Sequence, residues 1–509
     1  MLVAGCGLVG SGGSENEKPI VVGTTSAPST LDPAASWDGS WELFRNVYQT
    51  LVAFPSGAAE PEADAADCSF ADGANRVYHC KLREGLRFSD GDRLDAAAVK
   101  YSIDRIRAIA VKGGPGGLLG SLDRVETSGE RDVTFHLKKP DATFPFVLAT
   151  PAMSIVDPGE YPAKALRTDG KVTGSGPYAL RAYQDDEEAV LVENSHYKGF
   201  AERKNAAVTI RYFPTSSAMV AALKAGRIDA TFRGLAAEDV VRLQAERDDT
   251  AGLQLVEGAG TEISYLVFNP KDPWAGKRAV RRAVAQVVDR GAIAHDIYKD
   301  TVEPLYSMVP KGLAGHTTDF FDDFGDPSPA KAAGILSAAG VTAPVPLTLW
   351  YTTDRYGSAT APEFAALKRQ LEASRLFTVT LKSRPWKTYE KGYRNGEYPV
   401  FGRGWFPDFP DADNFIAPFV GQENALGTPY VSPEITGRLL PRSRGESDRG
   451  AVVRQFQRAQ RIMADDARLL PLWQGKQYIA ASDEISGGER ALDPSTIMMM
   501  WELHRKTSW

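Results

Sequence analysis

Seven short segments dominated by β-branched and aromatic residues recur along the chain. They are "IVVGTT" (20–25), "VTFHLK" (133–138), "AVLVEN" (189–194), "VTIRYF" (208–213), "ISYLVF" (263–268), "LTLWYT" (347–352) and "FTVTLK" (377–382). Each reads as a β-strand. Between them lie stretches whose apolar residues return at helical spacing. "KRAVRRAVAQVVDRGAI" sets Val280, Val284, Val287 and Val288 on one face with arginines opposite, and "PEFAALKRQLEA" and "GAVVRQFQRAQRIMADDA" follow the same rule. "LDAAAVKYSIDRI" predicts a further helix with Asp95 as its N-cap. Strands and helices that alternate in this way predict an α/β architecture. Ligands of such folds sit in crevices at strand ends or between domains.

The 509 residues are enough for about two to four domains. A content of 43% hydrophobic and 24% charged residues is that of an ordinary folded soluble protein. The net charge of -6 supplies no basic field for polyanions, which argues against nucleic acid as a partner. The six histidines are scattered without an H-E-x-x-H pair. No apolar run approaches the roughly 20 residues that span a bilayer. No short repeat is apparent, which argues against a solenoid or propeller.

The three cysteines divide by context. Cys68 and Cys80 flank the turn-forming "DGAN" in "CSFADGANRVYHC", and two strands around that turn predict a disulfide-bridged hairpin; the alternative is two reduced, half-buried thiols. Cys6 stands in Val3-Ala4-Gly5-Cys6, which resembles the bacterial lipobox, whose cysteine is acylated. Glycine- and serine-rich residues from Gly10 to Lys18 follow it, as in a flexible tether. A lipid there would hold the protein at a membrane surface without spanning it; the alternative is an incidental cysteine in a tail.

Four segments, in order, resemble the family 5 extracellular solute-binding proteins, the dipeptide- and oligopeptide-binding components of ABC importers. "YHCKLREGLRFSDGDRLDAAAVKYSIDRI" (78–106) is similar to the pattern LR.G..F.DG..L.A.DV..S..R, with Asp95 and Ala98 replacing Thr and Asp. "GSGPY" (174–178), "LVFNPKDPWAGKRAVRRAVAQVVDR" (266–290) and "GWFPDFPDADNF" (404–415) resemble three further motifs. The resemblance implies a periplasmic-binding-protein-like (class II/cluster C) two-lobed fold with an extra inserted domain and an interlobe ligand cleft. Residues 1–17 then form the lipobox remnant and tether. Domain I gathers 18–45, 170–265 and 472–509, inserted domain II covers 46–169, and domain III covers 266–471. The chain crosses between the lobes near 265–270 and 468–474. Proline in "PKDPW" and "LLPLWQ" is the punctuation expected of connections.

The stretch "GWFPDFPDADNFIAPF" (404–419) sets Asp408, Asp411 and Asp413 among five aromatic rings and three prolines. In peptide-binding relatives, the first aspartate after the GW pair salt-bridges the peptide α-amino group, which implies that role for Asp408. Gly404 and Trp405 would end a strand and wall the pocket. Asp411 and Asp413 are expected to cap the following helical turn and face solvent. A calcium loop D-x-[DN]-x-[DN]-G fails here, because Phe415 and Ile416 occupy the next ligand and glycine positions. For the peptide carboxylate, a guanidinium is the natural partner. Arg355 matches an arginine of dipeptide-binding relatives with a one-residue shift; its alternative is a surface pair with Asp354. Arg233 and Arg403 are further candidates. Trp41, Trp37 and Trp386 are candidate wall residues, with core packing as the alternative.

Two rival classes remain open on sequence. Paired carboxylates in an aromatic cleft also describe a glycoside hydrolase, although no second acid-rich aromatic motif, G-x-S-x-G or phosphate loop accompanies them. Family relatives also carry oligosaccharides, opines, nickel chelates or haem, so fold alone does not choose the ligand. The expectation is a monomeric, lipid-anchored, extracytoplasmic binding protein without cofactor, metal or catalysis. Its partners would be a short amine-bearing peptide and the permease and ATPase subunits of an importer.

Overall fold

The computed structural model describes residues 18–35, 40–246 and 252–506. An 11-stranded mixed sheet organises it. Its strands, in chain order, are β1 (Ile20–Thr24), β2 (Tyr178–Gln184), β3 (Glu188–Glu193), β4 (Ala207–Tyr212), β5 (Ala230–Thr231), β6 (Leu253–Phe268), β7 (Val302–Pro304), β8 (Val345–Thr352), β9 (Phe377–Arg384), β10 (Val400–Trp405) and β11 (Leu469–Ser482). The spatial order is β9-β8-β10-β6-β11-β5-β1-β4-β3-β2, with β7 added along β11. All seven segments expected as strands are strands. Six join this sheet. The seventh, Asp132–Leu137, belongs to a separate four-stranded antiparallel sheet with Ala66–Phe70, Val77–Leu82 and Leu122–Ser128.

The antiparallel pair β6 and β11 forms the spine, 16 and 14 residues long. On one side of it β1 runs parallel to both β4 and β5; on the other β8 runs parallel to both β9 and β10. Hydrophobic packing divides along the same line. One cluster gathers Val22, Phe44, Phe135, Leu191 and Trp501, while others gather Val284, Leu349 and Leu367, or Tyr265, Phe401 and Phe415.

The spine departs from the sequence expectation at proline. "LLPLWQ" lies inside β11 rather than in a connection. Pairing slips from Ser264–Trp473 to Tyr265–Pro471, leaving Leu472 as an extra residue. Proline has no ladder donor, and a bulge is where a strand interior tolerates one. A second irregularity lies between Ala259–Lys476 and Ile263–Gln474, where Gly260, Thr261 and Glu262 oppose Gly475 alone. The backbones nearly touch there, since a Cβ on Gly260 would lie 2.4 Å from the Gly475 carbonyl oxygen.

Helices form where periodicity placed them. Asp95 caps Ala96–Ile109 by accepting from the Ala98 N–H at 3.0 Å. Arg278–Val287 buries Val280, Val284 and Val287, and stops where Val288 turns extended. The arginines opposite are not all solvated. Arg281 is buried and donates to the Asp466 carboxylate at 2.6 Å and to the Gly276 carbonyl at 2.7 Å. Among the described residues, no helix is long and apolar enough to cross a membrane.

Cys68 and Cys80 oppose each other in register, 4.1 Å apart at Cα, and are joined by a disulfide. The Cys68→Ser, Cys80→Ser double variant is expected to lose about 2–3 kcal/mol in urea unfolding, because its unfolded chain is less constrained. Equal stability of the oxidised wild type and this variant would remove the bridge from the account.

Candidate functional site

A cavity of about 700 Å³ straddles the spine. Its walls follow from the topology. Thr25, Thr215 and Arg233 come from loops beyond the C-terminal ends of β1, β4 and β5, and Arg355 and Phe406 from beyond β8 and β10. The parallel strands of both halves thus point their C-terminal ends at one crevice, where open α/β sheets place ligands. Trp473 and Tyr478 of β11 also line it.

Glu262 enters this cavity from the second bulge of the spine. Bulges re-aim side chains, and here the redirected group is a carboxylate. Burial pushes its pKa up to about 7, while the charges of Arg233 and Arg355 pull it down. Arg233 has a left-handed backbone (φ 55°) and pairs with Glu42 at 2.7 Å. Arg355 lies over the Trp386 ring, 4.4 Å from its centroid, and among the described residues it makes no ion pair within 4.0 Å. Asp354 is occupied elsewhere: its Oδ1 accepts from the Trp386 N–H at 2.6 Å and the Thr352 hydroxyl at 3.1 Å. Gly404 is needed for space, since a Cβ there would lie 2.8 Å from the Tyr356 ring that lines the cavity.

Below the cavity, Glu363 accepts from Tyr298 Oη at 2.8 Å and Trp473 Nε1 at 3.1 Å. Burial pushes this carboxyl up to about 7 against those two bonds. It holds two of the wall rings in place.

The acids of the loop after β10 separate by partner. Asp411 receives Arg449 through two bonds of 2.8 and 3.0 Å, and Asp413 receives Arg444 through two of 2.9 and 2.7 Å. Asp411 also accepts from the Asp413 N–H at 2.8 Å, capping the short helix Ala412–Phe415. The capping expectation therefore holds for Asp411, but the expectation of solvation fails: both acids are buried, each matched by a guanidinium. Asp408 is 8% exposed and has no arginine or lysine within ion-pair distance among the described residues. Its Oδ2 accepts from Asn414 Nδ2 at 2.9 Å, and Asn414 Oδ1 accepts from the Asp408 N–H at 2.9 Å and Trp405 Nε1 at 3.2 Å. Burial pushes the Asp408 pKa up to about 7 despite the Asn414 bond.

Of the residues singled out on sequence, Arg355 and Arg233 line the main cavity. Gly404 and Arg403 border a narrow gap beside it that also touches Glu262. Arg403 is buried, donates to the Ala425 carbonyl at 2.8 Å and lies 4.4 Å from the Tyr393 ring centroid. Trp386 packs on Tyr356, Tyr389 and Tyr393; Trp405 packs on Phe419; Trp41 is buried in the core of its half. Asp408 sits two residues beyond cavity-lining Phe406 and lines neither the cavity nor the gap. Cys6 and Trp37 lie outside the described residues. Sequence reasoning missed Glu262, Glu363, Trp473 and Phe406. A carboxylate two residues after Gly260, at the head of the apolar run Ile263–Phe268, was the available signal for Glu262.

Comparison with known proteins settles the kinship. The description "Bacterial extracellular solute-binding proteins, family 5 Middle" matches residues 60–427. The chain belongs to this family. It is 26% identical over 488 residues to the probable D,D-dipeptide-binding periplasmic protein DdpA of Escherichia coli K12, covering 92% of this chain and 90% of that protein. It is 25% identical over 500 residues to the di/tripeptide-binding protein 2 of Pseudomonas aeruginosa UCBPP-PA14, covering 92% of each. Among solved structures, the periplasmic binding protein DppA of Helicobacter pylori in complex with the peptide STSA matches with a TM-score of 0.81 at 22% identity. That match covers 96% of this chain and 98% of the other. The two-lobed family fold expected from the motifs is the fold of this chain.

Proposed function

We propose that this family 5 protein captures short peptides in the crevice between its two halves and passes them to a membrane permease. The observation that carries this reading is Asp408, a buried carboxylate that has no cation partner among the described residues, in a loop whose other two acids each have one. A buried charge requires a partner, and a peptide supplies an ammonium. Arg355, which has no acid partner in ion-pair reach among the described residues, is assigned the carboxylate end. Rings at Phe406, Tyr356 and Trp473 supply apolar walls. The names of DdpA and the P. aeruginosa protein support a peptide ligand, and they denote binding proteins rather than enzymes.

The proposal includes the division into domain I, inserted domain II and domain III with the boundaries given above. Closure would be a hinge of β6 and β11, the two strands shared by both halves. It also includes an extracytoplasmic site, acylation of Cys6 and monomeric delivery to permease and ATPase subunits. The word "extracellular" in the family description supports the compartment.

Native mass spectrometry of the purified chain is expected to show a co-purifying peptide, released unchanged. Calorimetry with that peptide and its N-acetylated form forms the decisive pair, and equal affinity for the two would reject an ammonium anchor. Arg355→Met is expected to weaken binding of the free-carboxylate peptide by about 1.5–3 kcal/mol, the scale of a hydrogen bond to a charged group. The same variant should bind the C-amidated peptide almost as the wild type does; an equal loss on both peptides would remove Arg355 from that role.

A further inference from the structure

Away from the cleft, three carboxylates gather in the region of the smaller sheet. Asp90 and Asp92 flank Gly91 in a tight turn: Gly91 has φ 99°, and Asp90 Oδ1 accepts from the Asp92 N–H at 3.0 Å. Asp157 comes from a distant segment and is 3% exposed. Its Oδ1 accepts from the Gly159 N–H at 2.7 Å, whereas its buried Oδ2 has no hydrogen-bond partner among the described residues. One carboxylate oxygen from each of the three aspartates lies within 4.8 Å of the others. None of the three forms an ion pair within 4.0 Å among the described residues. The nearby guanidinium of Arg87 donates to the Gly91 carbonyl at 2.6 Å.

Like charges at this separation oppose one another, and a buried carboxylate oxygen without a donor is unusual in a folded chain. Burial pushes the Asp157 pKa up, and the charges of Asp90, Asp92 and Glu160 add to that. A cation between the three groups removes both penalties.

We propose that Asp90, Asp92 and Asp157 form a calcium site that ties the Asp90–Asp92 turn to the Asp157 segment. The donors are all carboxylate oxygens, the chemistry of a hard cation. Within that class, Ca²⁺ accepts irregular, partly hydrated oxygen shells, whereas Mg²⁺ demands near-ideal octahedral geometry. The exposure of Asp90 and Asp92 leaves room for waters to complete the shell. A partly open site with three acids belongs to the weak range of extracellular modules, Kd about 0.1–1 mM.

The test is calorimetric titration of the full chain, stripped with chelator, with CaCl₂ and separately with MgCl₂. One Ca²⁺ site in that range is expected, with a rise in Tm on adding CaCl₂ and at least about tenfold weaker binding of Mg²⁺. Asp90→Asn, at an exposed position that does not threaten folding, and Asp157→Asn should each lower Ca²⁺ affinity at least about tenfold. Both should leave peptide affinity in the cleft unchanged, so the cation site stands or falls independently of the peptide reading. Absence of heat and of any Tm change up to about 10 mM CaCl₂ overturns the site. So does Ca²⁺ binding that survives in Asp90→Asn, while Mg²⁺ bound as tightly as Ca²⁺ overturns the assignment to calcium.

Discussion

Asp408→Asn is expected to weaken binding of a peptide with a free N-terminus by about 2–5 kcal/mol, the loss seen when one member of a buried charge pair is removed. The same substitution is expected to stabilise the empty protein. Both effects follow from one fact: Asp408 is buried with an amide donor, Asn414 Nδ2, but no cation. Its pKa rises from an ordinary 3.8 to about 7 because burial disfavours the ionised form. An acid whose pKa is raised by folding holds its proton more tightly in the folded chain. Its penalty is absent below about pH 4, grows as pH rises toward 7, and is complete above that. Asparagine keeps the shape and removes the charge, so Asp408→Asn should gain stability over the wild type at pH 8 and little at pH 4. The two measurements are calorimetry with the co-purified peptide and thermal unfolding of the empty chain at both pH values. Unchanged affinity would end the assignment of Asp408 as the ammonium anchor.

The pH dependence of binding follows from the same groups. Asp408 and Glu262 are both displaced to about 7, in each case chiefly by burial. Only the ionised forms attract an ammonium, so affinity for an N-free peptide is expected to rise between pH 6 and 8 and level off above. A ligand with its amine acetylated should show a flat profile over that range. An equal slope for both would assign the dependence to a change in the protein unrelated to the ligand amine.

Much of this architecture is legible in the sequence, because local rules and burial agree there. In β4 the sheet buries the β-branched Val208 and Ile210, and Asp95 caps its helix by ordinary N-cap chemistry. Legibility fails where two distant segments determine the outcome jointly. Pro471 looks like punctuation until β6 is laid beside it, because only the partner strand supplies the register slip that accommodates it. Glu262 looks like an exposed residue of a strand end until the same pairing turns it into the cleft. Arg449 and Arg444 carry no motif. Their roles arise from carboxylates 38 and 31 positions away in the chain. Asp411 and Asp413 could be read as caps from neighbouring residues, but their burial could not be seen without those arginines.

Arg449→Met is the counterpart of the Asp408 substitution, with the opposite sign. Asp411 stands three residues after Asp408 in the same loop, yet it carries a full counter-charge. Arg449 meets it through Nε and Nη2 and spends Nη1 on the Ser443 carbonyl at 2.7 Å. Methionine preserves much of the stem and its packing on Phe456 but leaves a buried carboxylate with only the cap bond from the Asp413 N–H. Such a loss is expected to cost about 3–5 kcal/mol in urea unfolding at pH 8. Asp411→Asn combined with Arg449→Met should recover part of it, because no buried charge remains; a double variant as unstable as Arg449→Met alone would show that the arginine acts through packing and the Ser443 bond. The loop presents one buried carboxylate without a cation and two with arginines, so the sign of each substitution separates the charge available to a ligand from the charges that hold the loop.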